Sequence, residues 1–411
     1  MCHKRHCSSL GTKTCGGCGD VRYCCIGCQK EDWKFHKSLC VNINKLSATF
    51  MEYDEVDKIV TKMLNRTRIL DPENQVIEAI EMNEKFLKFA QSQYGTQAIG
   101  ESYCVRENGE HVDNSLICNL RMNLTNLYLR SADFVKNIEM VLANAVEAQK
   151  LLIQRKSEGL DKDTNLVYLS EKNLATIYTF KNDLEKADLH YNACLTAATE
   201  YDGPDRASFI SSALLKLAMI SALQGRIAEE TAYVEEGYVV ASAELGPVHP
   251  SFQEAVRALI ESLLSRKEYS RADSYSRINY NNIIDPLFRI DQNSDTVTSG
   301  MLQLAKVWSV KELSKDKNIA LKEAEEAERV MRKACNIVEK KFGSDSPRIT
   351  HYLATFAQVL IRLERFTFET QQLLERNVSI NVACYGSQAP ETTHPKYLLK
   401  QFYELREKGM K

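Results

Sequence analysis

The chain has 411 residues, more than one compact core of usual size accommodates, so two or more folding units are expected. Hydrophobic residues make up 44% and charged residues 26%, which excludes wholesale disorder and a fibrous chain. A formal net charge of -2 gives no electrostatic reason to expect nucleic acid or an acidic membrane as partner. Neither a signal core nor an apolar run of transmembrane length is evident, so we expect an intracellular protein, cytoplasmic or nuclear, without a membrane partner.

The cysteines are concentrated at the N-terminus, where eight of the 13 fall within the first 40 residues. In a compartment that keeps thiols reduced, such a cluster beside a histidine indicates zinc rather than disulfides. The same segment has too few apolar residues to form a core of its own. We therefore predict that residues 1–40 fold around metal.

The spacing of the clustered residues defines eight candidate zinc ligands: Cys2, Cys7, Cys15, Cys18, Cys24, Cys28, His36 and Cys40. Because structural zinc takes four ligands, eight ligands predict two closed sites with two structural Zn2+ ions. Alternating ligand pairs usually interleave, so the first and third pairs are predicted to share one ion and the second and fourth pairs the other. Cys25 is not at a ligand spacing, and the pattern favours an inert surplus thiol there.

The last part of this segment, Gln29–Cys40, is predicted to form a short helix with Glu31 and Asp32 in its first turn. One face of that helix would carry Trp33, His36 and Cys40.

Residues Thr14–Cys40 strongly resemble the MYND-type zinc finger. The last six ligands match at full spacing, and so do the steps Arg22-Tyr23-Cys24, Cys28-Gln29 and Asp32-Trp33 between them. The first pair departs from the family, because four residues separate Cys2 from Cys7 where two are usual. His3 or His6 therefore stays open as a substitute for Cys2.

The resemblance implies a protein-interaction finger with a shallow groove for a short proline-containing peptide. The matching groove positions are Tyr23, Gln29 and Trp33. An indole is a flat apolar platform for proline rings, and an amide pairs with peptide backbone. Gly16 stands where the family often has Ser, so a hydroxyl contact is lost. An alternative role for Trp33 is to pack the helix against the zinc knuckles.

Nucleic-acid binding by the finger is disfavoured by its charge. Thiolates and zinc ions together bring residues 1–40 to a net charge of about +1. That is too little for an affinity that depends on releasing many counterions from phosphate.

The rest of the chain is helical by period, and glycine-containing loops recur about every 43 residues. Small and large side chains alternate as in tetratricopeptide repeats, for instance at Leu174-Ala175 and Leu217-Ala218. The long period resembles the kinesin-light-chain type. The predicted fold class is a small zinc finger followed by an all-α right-handed solenoid of helix-turn-helix repeats. Its predicted parts are a finger at 1–40, a helical bridge at 41–114, a repeat array at 115–395 and a C-terminal capping helix at 396–411.

Two irregularities are expected within the array. One repeat boundary without glycine is predicted near Asp291–Asp295, because the glycine spacing doubles there. About ten extra residues are predicted around Lys311–Asn318, after Trp308.

The first helices of such an array line a concave face that binds peptides or helices, so a second, unidentified protein partner is expected there. Asn173, Lys216 and Arg257 lie on candidate first helices, but they form only part of the clamp that some arrays use for a C-terminal carboxylate. Solvated surface charge is the favoured interpretation of these residues.

An enzymatic function is the main alternative class, because MYND-type fingers are often attached to a SET-type lysine methyltransferase. That fold needs many short strands and an Asn-His cofactor step, and neither occurs in this sequence. A phosphate-binding loop and a nucleophile elbow are likewise missing. The sequence thus predicts a non-enzymatic adaptor or scaffold, with a methyltransferase relative and a nucleic-acid-binding regulator as the alternatives.

Overall fold

The structure is a computed structural model, and the residues it describes form eleven stretches: 11–16, 22–37, 80–81, 83–88, 103–105, 111–113, 115–131, 134–157, 164–291, 294–310 and 317–409. The chain divides into two compact units between Gly203 and Pro204.

The finger consists of two short strands and one helix. Strands β1 (Lys13–Thr14) and β2 (Arg22–Tyr23) pair antiparallel, and helix α1 spans Ile26–His36. The helix begins three residues earlier than predicted, because the extended backbone of Cys25 places its sulfur to accept a hydrogen bond from the N–H of Cys28.

The prediction that Glu31 and Asp32 lie in the first turn of this helix is therefore wrong. The first turn carries no acidic side chain, and both residues fall in the second turn.

The predicted helical bridge contains helix and strand. Residues 80–81 and 83–88 are helical, but β3 (Tyr103–Val105) and β4 (His111–Asp113) form an antiparallel pair. The prediction of a purely helical bridge is wrong at these strands. The Asn108-Gly109 dipeptide between them is a strong hairpin signal that the helical interpretation overlooked.

In the first unit, four long helices follow the hairpin: α2 (Ser115–Leu129), α3 (Ile138–Ser157), α4 (Thr164–Phe180) and α5 (Leu184–Glu200). Consecutive helices pack together, and one apolar core joins α2, α3 and α4 to the helical residues 80–81 and 83–88. Within it Phe86, Leu120 and Leu174 are buried, and the Asn83 side chain donates to the Leu120 carbonyl at 2.9 Å. This contact connects the bridge to the first helix pair.

The second unit contains ten described helices: α6 (Arg206–Leu223), α7 (Ile227–Glu244), α8 (Pro250–Ser265), α9 (Tyr269–Asn279), α10 (Asp285–Ile290), α11 (Asp295–Val310), α12 (Lys317–Phe342), α13 (Thr350–Arg362), α14 (Phe368–Tyr385) and α15 (Pro390–Gly409). Each pair packs internally, and the first helices of successive pairs also contact one another, α6 with α8, α8 with α11, and α11 with α13. This is a helical-repeat arrangement, so the predicted fold class is confirmed.

The turns between the two helices of four helix pairs have the same backbone conformation. Asn182, Gly225, Lys267 and Glu364 each follow a first helix and have a left-handed φ, between 55° and 75°. In each turn the left-handed residue donates to a carbonyl three residues back, and the next residue donates to one five residues back. These are Schellman caps, which satisfy the last carbonyls of the first helix before the second begins.

The repeat boundary predicted near Asp291–Asp295 is confirmed, because α10 ends at Ile290 and α11 begins at Asp295. Before that boundary, α9 continues through a π-helical turn, Tyr280–Ile284, into α10. Gly300 on α11 permits close packing against this turn, since a Cβ built there would lie 2.4 Å from Cγ1 of Ile284.

Two predicted boundaries in the second unit differ from the structure. Helix α12 begins at Lys317 and is 26 residues long, so part of the expected insertion extends this helix, while residues 311–316 lie outside the described residues. The C-terminal helix begins at Pro390 rather than at 396, because proline suits the first helical position.

One described helix, Arg206–Leu223, is long and apolar enough to cross a membrane, although no apolar run of that length was expected from the sequence. More than half of that helix is buried inside the protein. Buried core helices of soluble proteins can have the same length and apolar composition.

Candidate zinc centre and interaction surfaces

The strand pair of the finger positions the first predicted ligand that the structure describes. The Thr12 N–H donates to the Tyr23 carbonyl at 3.0 Å, which holds the two strands together, and Cys15 follows β1 with its side chain buried. Gly16 comes next, is exposed, and would admit a Cβ without contact within 4 Å.

Three cysteine sulfurs converge at the start of α1. The Sγ atoms of Cys24, Cys25 and Cys28 all lie within 4.8 Å of one another, and those of Cys24 and Cys28 are 3.4 Å apart. Tetrahedral zinc with Zn–S bonds of about 2.3 Å places its sulfurs about 3.8 Å apart. The donor set and its spacing therefore suit zinc, and they bring the predicted ligands Cys24 and Cys28 together.

Cys25 is the member of this cluster that ligand spacing did not predict. It is exposed and occupies the N-cap of α1, where the Cys28 N–H donates to its sulfur at 3.4 Å. That hydrogen bond lowers the pKa of the Cys25 thiol below its usual value. No signal in the sequence indicated this role, because the helix was predicted to begin at Gln29, four residues after Cys25.

The other predicted zinc ligands are described only in part. His36 is the last residue of α1. Cys15 is not part of the three-sulfur cluster. The remaining predicted ligands lie outside the described residues: Cys2, Cys7, Cys18 and Cys40.

Tyr23 was predicted to line the peptide groove, but it lies inside the finger. Its side chain is 0% exposed, and its hydroxyl donates to Oδ2 of Asp32 at 2.7 Å. The Asp32 side chain is itself buried, so this bond joins β2 to the inner face of α1. The prediction that Tyr23 contacts a peptide is corrected accordingly: a ring without exposed surface supports the finger from inside.

Gln29 and Trp33 are the other two predicted groove residues. They lie four residues apart on α1 and therefore on one face of it. The indole of Trp33 is 40% exposed, and Gln29 is half-buried beside it. Exposure of this size leaves part of the ring available as an apolar platform.

A cleft of about 350 Å³ lies on the second unit between α6, α7 and α8. Its apolar lining consists of Leu215, Ala218, Met219, Ala222, Val234 and Ala258. Charged side chains accompany them: Lys216, Glu230, Glu254, Arg257 and Glu261. The cleft therefore combines an apolar surface with charges of both signs, contributed by α6, α7 and α8.

The charges of the cleft are largely paired with one another. Arg257 contacts Glu261 at 3.2 Å and Glu254 at 3.7 Å, and Glu261 also faces Lys306 at 3.6 Å. Lys216 makes no ion pair within the described part of the chain. Asn173, the third residue of the partial clamp pattern, belongs to the first unit and is only 6% exposed. The paired state of Arg257 favours solvated surface charge over a carboxylate clamp.

The described thiols in the helical units are mostly packing groups. Cys118, Cys194 and Cys335 are buried, whereas Cys384 is exposed. Burial raises the pKa of the Cys335 thiol to about 12, which keeps it protonated and unreactive at neutral pH.

Comparison with known proteins identifies the N-terminal segment. The family model described as MYND finger matches residues 1–40. Tudor domain-containing protein 1 of Oryzias latipes is 33% identical over 71 residues, which are 17% of this chain and 6% of the relative's length. The resemblance found in the sequence is thus confirmed: residues 1–40 are a MYND finger, a zinc-binding module.

The helical part is similar to solved repeat structures. BtubC (BKLC) from P. vanneervenii has a TM-score of 0.47 at 16% identity, covering 61% of this chain and 94% of that one. A putative kinesin light chain with TPR-like repeats from Podosopora anserina has a TM-score of 0.41 at 14% identity, covering 55% and 99%. The repeat assignment rests on the helix packing of this chain itself.

Proposed function

We propose that this chain is a zinc-dependent interaction adaptor, whose finger binds a short proline-containing peptide and whose helical array binds a second protein. The observation that carries the proposal is the exposed indole of Trp33 beside Gln29 on a helix that starts at the cysteine cluster. MYND fingers and helical repeats are interaction modules, and this class of function accounts for both parts of the chain.

The finger is proposed to hold two Zn2+ ions. Cys2, Cys7, Cys24 and Cys28 are assigned to one ion, with His3 or His6 as substitutes for Cys2. Cys15, Cys18, His36 and Cys40 are assigned to the other. The convergence of Cys24 with Cys28 supports the first site, and the separate position of Cys15 supports an interleaved second one. Because free thiols persist in reducing compartments, the proposal places the chain inside the cell.

Peptide binding at the finger is expected to depend on apolar contact. Trp33→Ala should cost about 2 kcal/mol, a loss of roughly thirtyfold in affinity, because it removes the platform from a small interface. Lys30→Ala is the matched control on the same helix, since an exposed charge at a rim contributes little.

The test is a titration of a proline-containing peptide library against the zinc-loaded chain at low and high salt. Wild-type affinity in Trp33→Ala would contradict the groove. An affinity that collapses with salt and with Lys30→Ala would favour nucleic-acid-like electrostatic binding instead.

The array is proposed to bind its partner through the cleft between α6, α7 and α8. Met219 is 38% exposed there and provides an adaptable apolar contact. Affinity capture with the wild-type chain, Trp33→Ala and Met219→Asp should show two separable sets of partners, each lost in one variant. A single set lost in both variants, or in neither, would contradict two independent binding parts.

A further inference from the structure

We propose that the cleft between α6, α7 and α8 binds a short extended peptide in which one acidic and one basic residue flank two apolar residues. The inference rests on the proposed function, in which this cleft holds the second partner, and it states the chemistry of that partner. Lys216 pairs with the acidic side chain of the peptide and Glu230 with the basic one, while the apolar pair lies between them.

The charge balance of the cleft carries this inference. Arg257 is occupied from both sides, since Glu254 lies 3.7 Å and Glu261 lies 3.2 Å from its guanidinium. Glu261 also faces Lys306 at 3.6 Å, so two cations and two carboxylates balance one another. A partner gains little from charges that are already paired in the free protein.

Lys216 and Glu230 are the two charged side chains of the cleft lining for which the described residues provide no ion pair. Both are half-buried, and Glu230 accepts one hydrogen bond, from the Thr231 hydroxyl at 3.3 Å. A half-buried charge has lost part of its hydration, and a partner that supplies the opposite charge compensates for that loss. Because the two charges differ in sign, the complementary peptide carries one charge of each sign.

An apolar surface separates the two charges. Met219 and Ala222 follow Lys216 by three and six residues on α6, so they continue its face toward the turn, and Glu230 lies in the first turn of α7. Met219 is 38% exposed, Ala222 is exposed and Ala258 is half-buried beside them. A flexible thioether between small side chains accepts apolar groups of different shape.

The size of the cleft selects an extended peptide over a helix. Two turns of a helix about 10 Å in diameter occupy roughly 850 Å³, whereas the cleft measures about 350 Å³. Helices α6 and α7 are joined by a three-residue turn and therefore run antiparallel. Helix rise and interhelical distance then place Lys216 and Glu230 roughly 10 Å apart. An extended chain at about 3.3 Å per residue covers this distance with two residues between the charged ones.

The test uses three labelled synthetic peptides with the cores Asp-Leu-Leu-Lys, Asp-Leu-Leu-Asp and Lys-Leu-Leu-Lys between Gly-Ser flanks. Each is titrated with the zinc-loaded full chain and followed by fluorescence polarisation. The mixed-charge peptide should bind about fivefold or more tightly than either like-charged peptide, because each of those meets one charge of its own sign. The preference should shrink at high salt, which screens partly exposed pairs.

Single charge reversals should change which peptide binds best. Lys216→Glu makes both unpaired charges acidic, so Lys-Leu-Leu-Lys should become the tightest ligand. Glu230→Lys makes both basic and should favour Asp-Leu-Leu-Asp. Lys400→Glu is the matched control, because it changes the net charge equally on α15, outside the cleft lining, and should keep the wild-type order. A merely structural role of the two residues would weaken all three peptides alike.

The outcomes separate this proposal from the proposed function of the array. An unchanged preference in both reversals, with binding still lost in Met219→Asp, would overturn the charge pairing and keep the cleft as a binding site. No binding of any of the peptides at about 1 mM would overturn both. A wild-type dimer in sedimentation that Met219→Asp dissociates would assign the cleft to a second copy of the chain and overturn the peptide as its occupant.

Discussion

The finger and the helical array obtain their stability from different sources. In the described part of the finger, Cys15 and Tyr23 are the buried hydrophobic side chains, and three sulfurs converge where a metal would hold them. Each helical unit instead buries large apolar clusters between consecutive helices. The comparison teaches that one chain can combine a part that folds with its metal and a part that folds through nearest-neighbour packing.

Removal of zinc by a chelator should produce the largest difference in stability between the finger and the array. Zinc binding to structural fingers contributes about 10 kcal/mol or more, so removing zinc should unfold residues 1–40 completely. The helical circular dichroism signal of the array should persist, because packing between helices needs no metal. Metal analysis alongside the spectra should find two zinc ions per untreated chain. Loss of most of the helical signal on chelation would refute independent stability.

A core substitution in the array should have the converse effect. Leu263 on α8 is fully buried in the core of the second unit, so Leu263→Ala should cost about 3 kcal/mol of unfolding free energy through the cavity it leaves. Leu223→Ala is the matched control, since that side chain is largely exposed, and should cost less than about 0.5 kcal/mol. Denaturant unfolding monitored by circular dichroism measures both. The zinc content of both variants should equal that of the wild type.

A substitution of Tyr23 tests whether this residue stabilises the fold of the finger or contacts the bound peptide. Tyr23→Phe removes the hydroxyl that donates to the buried Asp32 carboxylate, and should cost about 1.5 to 3 kcal/mol of finger stability. Zinc affinity should fall with it, because metal binding and folding are coupled. At saturating zinc, the affinity for a peptide should stay within about twofold of the wild type. A larger loss there would return Tyr23 to the peptide groove.

The sequence predicted the metal chemistry and the repeat pattern better than it predicted local boundaries. Ligand spacing and the period of helix pairs are direct consequences of chemistry and packing, so both were visible without coordinates. The start of α1 at Ile26 could not be predicted from the sequence, because it depends on the Cys25 sulfur as a helix cap. The strands at 103–105 and 111–113 are too short to show a periodicity of their own, so the Asn108-Gly109 dipeptide was the one sequence signal for this pair.

The interior position of Tyr23 was also beyond the sequence. Its hydroxyl and the Asp32 carboxylate are nine residues apart, and only the fold of the finger brings them together. The turns within helix pairs were overlooked for a different reason. Their shared left-handed residue is glycine only at Gly225, so three of the four turns carry no glycine signal.

The smallest expected effect comes from one of those turns. Lys267 has a φ of 62°, a conformation that costs an L-residue roughly 1 to 2 kcal/mol, and its side chain is exposed. Glycine avoids that cost but loses about 0.5 to 1 kcal/mol more conformational entropy on folding. Lys267→Gly should therefore stabilise the second unit by about 0.5 kcal/mol.

The matched control for this substitution is Gly225→Ala in the equivalent turn of the preceding pair, where φ is 75°. A Cβ there meets no atom within 4 Å, so the substitution isolates the backbone conformation from any clash. It should destabilise the unit by about 1 kcal/mol, opposite in sign to Lys267→Gly. Thermal unfolding of both variants measures the pair of shifts. Shifts of the same sign would mean that the Schellman caps do not set the stability of these turns, and that packing between the helices dominates even at their ends.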